Sequence, residues 1–84
     1  MNFAVAWEPA VRRELHSVWA TAPDPKAVRD AADEIDRRLA ADPYGSGRHL
    51  AEGLWRTVVP PLAVYYTIDP IQNAVVISDV AHIV

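Results

Sequence analysis

The side chains best suited to chemistry lie in an otherwise apolar stretch, "LWRTVVPPLAVYYTID" at residues 54–69. Arg56 carries the only formal charge between Glu52 and Asp69. A guanidinium on a strand can hold an anion, or it can simply keep the surface soluble. His82 lies further along, and an imidazole can take up and release a proton near neutral pH. Arg56 and His82 are therefore the candidate catalytic residues, the first as anion binder and the second as general acid or base.

A glycine-rich segment offers further candidate binding residues. All three glycines of the protein lie within residues 45–53, which predicts close backbone approach and at least one glycine at positive φ. The string "GSGRH" lacks the lysine of a phosphate-binding loop, so turn chemistry explains it more simply. The segment brings Arg48 and His49 to the start of the next strand, where they can bind substrate. Tyr65 can stack on a nucleobase, or it can be an ordinary sheet residue.

No metal or organic cofactor is predicted. The chain has no cysteine, which excludes disulfides, thiolate nucleophiles and cysteine-ligated metals. Its three histidines, His16, His49 and His82, form no i, i+4 pair and no cluster with the spacing of metal ligands.

The charge of the chain argues against broad nucleic-acid binding. The net charge is −3 and the pI is about 5.4, whereas proteins that grip phosphate backbones are usually basic. All eight Lys and Arg residues lie between positions 12 and 56. The N-terminus lacks the basic leader of a signal peptide, and no run approaches the roughly 18–20 apolar residues that cross a bilayer. We therefore expect a cytoplasmic protein with no membrane segment.

Apolar periodicity and punctuating prolines predict the elements. Phe3, Val5 and Trp7 alternate as in a strand with one buried side. Asp24 followed by Pro25 is typical of a helix N-cap and first turn. The expected elements are a strand at 2–7, helices at about 9–20 and 25–41, and strands at about 54–59, 62–68 and 74–82.

The order β-α-α-β-β-β predicts an α+β fold with a single domain over residues 1–84. A helical hairpin is expected to pack on one face of a small, mostly antiparallel sheet and to leave the other face open. Trp7 and Trp19 fall on apolar stripes and are expected in the core. A site shared by Arg56 and His82 requires both side chains to emerge on the open face.

Three strings of the sequence resemble the RelE/ParE superfamily, the toxins of type II toxin–antitoxin modules. They are "HLAEGLWRTVV", "LAVYYTID" and "VVISDVAHI", and they follow a short strand and a helical hairpin as in the family. The correspondence extends over nearly the whole chain. The resemblance implies the same β-α-α-β-β-β fold, with the helices on one face of the sheet.

The resemblance also implies an activity. Family members that cut mRNA in the ribosomal A-site use basic side chains to bind the phosphate, activate the 2′-hydroxyl and stabilise developing charge, without a metal. Matched residue by residue, this chain retains Arg56 and His82. The other basic positions of the family pattern fall on Val58, Ala63 and Ile83. An mRNA interferase site that is weakened or absent is the expectation, with Arg48 or His49 as possible additional contacts.

The partners follow from the same resemblance. A cognate antitoxin, as in plasmid-stabilisation modules, is expected to lay an extended or amphipathic segment across the open sheet face, the helical hairpin and their hydrophobic grooves. The acidic outer face of the second helix predicts an antitoxin whose apolar anchors have basic neighbours. Three modes of action stay open: cleavage of mRNA on the ribosome, inhibition of DNA gyrase as by ParE-type toxins, and a non-catalytic protein-interaction module.

Overall fold

The computed structural model describes residues 2–83, so the ends of the expected domain, residues 1 and 84, lie outside the described residues. The elements are β1 (Ala4–Trp7), α1 (Pro9–Thr21), α2 (Pro25–Ala41), β2 (Arg48–Ala51), β3 (Leu54–Val59), β4 (Leu62–Asp69) and β5 (Ala74–His82). The predicted fold class and all the predicted elements are confirmed, and β2 is an additional strand. Neither helix in the described part of the chain has the length and apolar character needed to span a membrane.

The strands form one mixed sheet in the order β1-β5-β4-β3-β2. β1 pairs with β5 in parallel, and the remaining neighbours pair antiparallel. Both helices pack on one face of this sheet. The opposite face, here called the open face, is uncovered as the sequence predicts.

The helices begin where local chemistry favours them. Pro9 and Pro25 occupy first-turn positions, where the missing N–H leaves no hydrogen bond unmade. At the start of α2, Asp24 Oδ1 accepts a hydrogen bond from the backbone N–H of Ala27 at 3.2 Å. Glu8 precedes α1 without such a side-chain cap. These two starts set the helical hairpin over the sheet.

The core lies between the helices and the sheet. From α2, Ile35 and Leu39 are fully buried, and they meet Leu62 and Val64 of β4. The alternation of β4 explains this, because every second side chain of a strand faces the same side. Full burial of side chains of this size stabilises the fold by roughly 1.5–3 kcal/mol each.

Tyr66 holds the segment between α2 and β2. Its hydroxyl donates to the carbonyl of Pro43 at 2.7 Å, and the side chain is fully buried. Burial first, and then the charge of Asp42, raises the pKa of Tyr66 to about 12. The backbone of Gly47 lies so close to Tyr66 and β3 that a Cβ there would overlap the Tyr66 hydroxyl and lie 2.7 Å from the carbonyl oxygen of Arg56.

The expectation for Trp19 was wrong, whereas that for Trp7 is confirmed. Trp7 is buried, and its Nε1 donates to Asp36 Oδ1 at 2.7 Å. Trp19 is 38% exposed and stacks on His16, with ring centroids 5.8 Å apart. It follows the buried Val18 and so points about 100° further round α1, at the edge of the apolar stripe.

The glycine-rich segment is expected to form turns, whereas its residues Arg48–Ala51 form the strand β2. All four of its residues are exposed, so they show no apolar alternation that could reveal a strand. The strand forms by pairing with β3, and the register shifts between His49 and Ala51. The predicted positive φ is found at Gly53, at +82°.

Candidate anion-binding site

A row of four side chains crosses the open face of the sheet. Arg48 lies opposite Arg56, and Arg56 lies opposite Tyr65. Tyr65 in turn lies opposite Asp79. Directly opposed residues share a face, and the adjacent Tyr66 is buried toward the helices, so these four point away from them. We call this set the open-face row.

Arg56 is half-buried and has no carboxylate partner. Its Cζ lies 5.7 Å from the centre of the Tyr65 ring, which is a cation–π distance. No salt bridge within residues 2–83 joins Arg56 to Glu52, to Asp79 or to another carboxylate. The guanidinium is therefore available to an external anion.

Arg48 and Arg56 line the same pocket. It has a volume of about 340 Å³ and is completed by Leu50, Val58 and the backbone turn at 46–47. The pocket lies at the β2 edge of the sheet, where the added strand carries Arg48 to a position beside Arg56. The expected juxtaposition of Arg48 and Arg56 is thus present.

His82 does not join Arg56. It lies opposite Leu62, which is fully buried under the helices, so His82 emerges on the helical side. The cause is a β-bulge, because the pairing with β4 skips Ser78 and every later side chain changes face. Val80 is buried for the same reason. The expectation of one cleft shared by Arg56 and His82 is wrong, and their catalytic roles stay predictions.

His49 also lies away from the open-face row. It is opposite Trp55, with ring centroids 5.0 Å apart. Trp55 packs in turn against Tyr44 at 5.7 Å and Tyr66 at 6.5 Å. His49 therefore belongs to an aromatic cluster on the helical side, whereas its neighbour Arg48 points to the open face.

The open-face row combines two cations, an aromatic ring and the carboxylate of Asp79. It offers two guanidiniums for an anion and the Tyr65 ring for stacking. The nearby Thr57 hydroxyl is already engaged, since it donates to the carbonyl of Ser46 at 2.8 Å. In the part of the chain that the structure describes, no group of three His, Asp or Glu residues is placed to hold a metal ion.

A second concave surface, the helical groove, lies between α1 and α2. It has a volume of about 370 Å³. Its apolar wall includes the exposed Trp19, and its rim carries charges of both signs. The sequence predicts a groove at the helical hairpin, but the part that Trp19 plays in it is not foreseen, because Trp19 is expected in the core. The lining residues are Trp7, Arg12, Leu15, His16, Trp19, Val28, Arg29, Ala32, Asp33 and Asp36.

Comparison with solved structures gives three close matches in fold. A chain of the RelBE2 toxin–antitoxin complex from Mycobacterium tuberculosis superposes with a TM-score of 0.81 and 22% identity, covering 98% of this chain and 92% of that one. A chain of the chromosomal ParDE TA system from P. aeruginosa gives 0.75 and 14% identity, covering 98% and 97%. A chain of the archaeal RelE–RelB complex from Pyrococcus horikoshii OT3 gives 0.61 and 14%, covering 98% and 96%.

These matches define the class of fold. Two helices on a five-stranded mixed sheet form the architecture of the RelE/ParE toxins, and this chain shares it from end to end of the described residues. The likeness is one of backbone, since few residues are identical. No protein-family model and no curated protein matches the sequence.

Proposed function

We propose that this chain is the toxin of a type II toxin–antitoxin module and that a cognate antitoxin neutralises it. The observation that carries the proposal is the fold match, which covers 98% of the chain in each of three toxin–antitoxin systems. The cytoplasm is the proposed location, since such a toxin and its antitoxin meet where they are made.

The helical groove is the proposed seat of the antitoxin. Trp19 offers an exposed apolar surface, and tryptophan is among the residues most often found at binding hot spots. On the groove wall Asp33 and Asp36 favour basic residues in the partner, whereas Arg12 and Arg29 favour acidic ones. An antitoxin segment with apolar anchors and charged neighbours of both signs fits this surface. Its whole interface would bury about 1,200–2,000 Å² or more.

We further propose that the toxin acts mainly by binding its target. Removal of one charge-stabilising group commonly lowers a rate by roughly 10²–10³. The open-face row offers Arg48 and Arg56, but the imidazole of His82 emerges on the other face. This geometry favours a gyrase inhibitor or a non-catalytic binder over an mRNA endonuclease on the ribosome.

The test is induced expression of the chain with and without its adjacent gene. We expect growth arrest from the chain alone and rescue by the neighbouring product. A DNA-damage response without mRNA cleavage would support gyrase as the target. Efficient cleavage of mRNA at ribosomal A-sites would contradict action by binding. Harmless expression together with no co-purifying partner would overturn the proposal as a whole.

The location of the antitoxin is tested by Trp19→Ala. Loss of a tryptophan hot spot weakens binding by about 30-fold or more, because about 2 kcal/mol of binding energy is lost. Ile71→Ala is the matched control, since Ile71 is 92% exposed on the β4–β5 turn, outside the groove lining. Isothermal titration of each purified variant with the antitoxin measures the effect. Equal affinities for both variants would exclude the helical groove as the seat.

A further inference from the structure

Arg48 and Arg56 form a like-charged pair at directly opposed positions of neighbouring strands. Such a pair destabilises a sheet. No salt bridge within residues 2–83 neutralises either guanidinium. An anion that enters between the two side chains relieves the repulsion and accepts charge-assisted hydrogen bonds from both. The pair therefore selects for a negatively charged ligand.

Apolar surface flanks the two charges. Leu50 is 44% exposed and Val58 is 37% exposed, and both line the pocket that contains Arg48 and Arg56. A phosphate group alone would leave these side chains in water. A peptide in which acidic and apolar residues alternate would cover them, because its carboxylates and its apolar groups can reach the pocket together.

The small number of cations disfavours nucleic acid as the ligand. Arg48 and Arg56 are the two cations of the open-face row, and no Lys or Arg follows Arg56 in the sequence. Two phosphate contacts on a single strand would give a log–log salt slope of only about −1.4. That electrostatic contribution is small for a nucleic-acid binder, whereas a short peptide can also use the apolar surface of Leu50 and Val58.

We propose that Arg48 and Arg56 bind carboxylates of an acidic, extended segment of the antitoxin, with apolar residues of that segment on Leu50 and Val58. The inference rests on the proposed function insofar as it assigns the segment to an antitoxin. We expect the segment to bind through side-chain contacts and not as an added strand paired with β2. With four residues and a bulge, β2 is a poor template for backbone pairing.

The antitoxin would then have two contact segments. The helical groove, with Trp19 and charges of both signs in its lining, takes one of them. The pocket at Arg48 and Arg56 takes an acidic one. The two surfaces lie on opposite faces of the sheet, so the antitoxin would wrap round the edge of the toxin.

The experiment titrates the labelled chain with the peptide acetyl-Leu-Glu-Leu-Glu-amide and follows backbone amides by NMR. We expect shifts centred on β2 and β3. Arg48→Gln and Arg56→Gln should each weaken binding about tenfold or more, which corresponds to one lost charged hydrogen bond. Arg13→Gln, an exposed change on α1, should leave the affinity unchanged. The glutamine version of the peptide should bind more weakly by a similar factor.

Several results would overturn the inference. The glutamine peptide could bind as tightly as the glutamate peptide, or the RNA oligomer decauridylate could bind more tightly than the peptide at the same two arginines. A third such result is that no backbone amide signal shifts at millimolar peptide. Binding measurements with the antitoxin itself distinguish a failure of this inference from a failure of the proposed function. If the antitoxin binds the wild type and the Arg48→Gln, Arg56→Gln double variant equally, the inference fails and the function stands. If the neighbouring product does not bind at all, the function fails, and the peptide titration still decides the site.

Discussion

At Arg56 the neighbouring side chains determine the chemistry. The guanidinium lies between a like charge at Arg48 and the ring of Tyr65, with no salt bridge inside residues 2–83. Such a side chain can bind and orient an anion. An arginine in a protein offers only hydrogen-bond donors, so it does not accept a proton. Proton transfer would need a partner; His82 lies on the other face, and Asp79 is the carboxylate of the open-face row.

Gly47 is the residue at which we expect the largest effect of a single methyl group. In Gly47→Ala the Cβ would overlap the buried Tyr66 hydroxyl and approach the carbonyl of Arg56. Overpacking costs about 1–3 kcal/mol, and displacement of Tyr66 also weakens its hydrogen bond to Pro43. The free energy of unfolding should fall by about 2 kcal/mol or more in urea titrations followed by tryptophan fluorescence.

Gly45→Ala is the matched control for this prediction. Its Cβ would overlap only the carboxylate of Asp42, the far end of a flexible side chain, whose movement costs one exposed hydrogen bond from the Gly45 N–H at 2.9 Å. The loss of stability should therefore be clearly smaller than in Gly47→Ala. Equal losses in the two variants would mean that close packing on Tyr66 does not constrain Gly47.

At the scale of the elements, local signals were sufficient for most of the fold. Neighbouring residues determine the helix starts at Pro9 and Pro25 and the alternation of the strands. These elements lie where the sequence predicts them. β2 has no such signal, because it is exposed throughout and depends on β3. The bulge at Ser78 cannot be predicted from the residues of β5 alone, because it is a shift in the pairing of β5 with β4.

This difference explains what could be predicted of the site. β3 is regular, and Arg56 meets the requirement for a shared site by emerging on the open face. β5 is not regular, and its bulge reverses the face of His82. His49 was assigned to the substrate site from its position beside Arg48, but adjacent residues of a strand face opposite sides. Tyr65 lies in the open-face row, where it can contact a ligand of Arg56.

Deletion of Ser78 tests the bulge as an element. Because Ser78 is the unpaired residue, its removal should leave Val80 buried and the strand regular. We expect the free energy of unfolding to change by less than about 1 kcal/mol. Deletion of Val76, a paired residue of the same strand, should shift the register and expose a core side chain, at a cost of about 2 kcal/mol or more. Thermal unfolding of both deletions gives the comparison, and equal losses would contradict the assignment of Ser78.

At the scale of the whole molecule, the two faces of the sheet carry different surfaces. The helical side presents the groove with Trp19 and with charges of both signs. The open side presents two arginines without a salt bridge among residues 2–83. Since all eight Lys and Arg residues lie between positions 12 and 56, the β4–β5 part of the chain contributes no fixed cation to either face.

The alkaline limit of the whole fold should depend on Tyr66. Its pKa is raised from about 10 to about 12, chiefly by burial, so the folded state favours the protonated phenol. This stabilisation is fully present below pH 10 and is lost as the pH rises through 12. Unfolding experiments from pH 8 to 12 should show stability falling above pH 10, by roughly 2 kcal/mol in total.

Tyr66→Phe provides the control. The variant should be less stable at neutral pH, because it lacks the hydrogen bond to Pro43. Its stability should depend less on pH between 10 and 12 than that of the wild type. The same slope in both proteins would show that another group governs the alkaline limit.

The parallel pairing of β1 with β5 has a consequence for how the protein is made. Ala4 pairs with Ala74 and Trp7 with Ile77, so β1 is synthesised well before its partner β5, with both helices and three strands between them in the sequence. On the ribosome, β1 stays unpaired with β5 until β5 has emerged. Contacts this distant in sequence also slow folding. A nascent chain therefore cannot complete its sheet during synthesis, which leaves an interval in which a partner already present in the cell can meet the protein before it is fully folded.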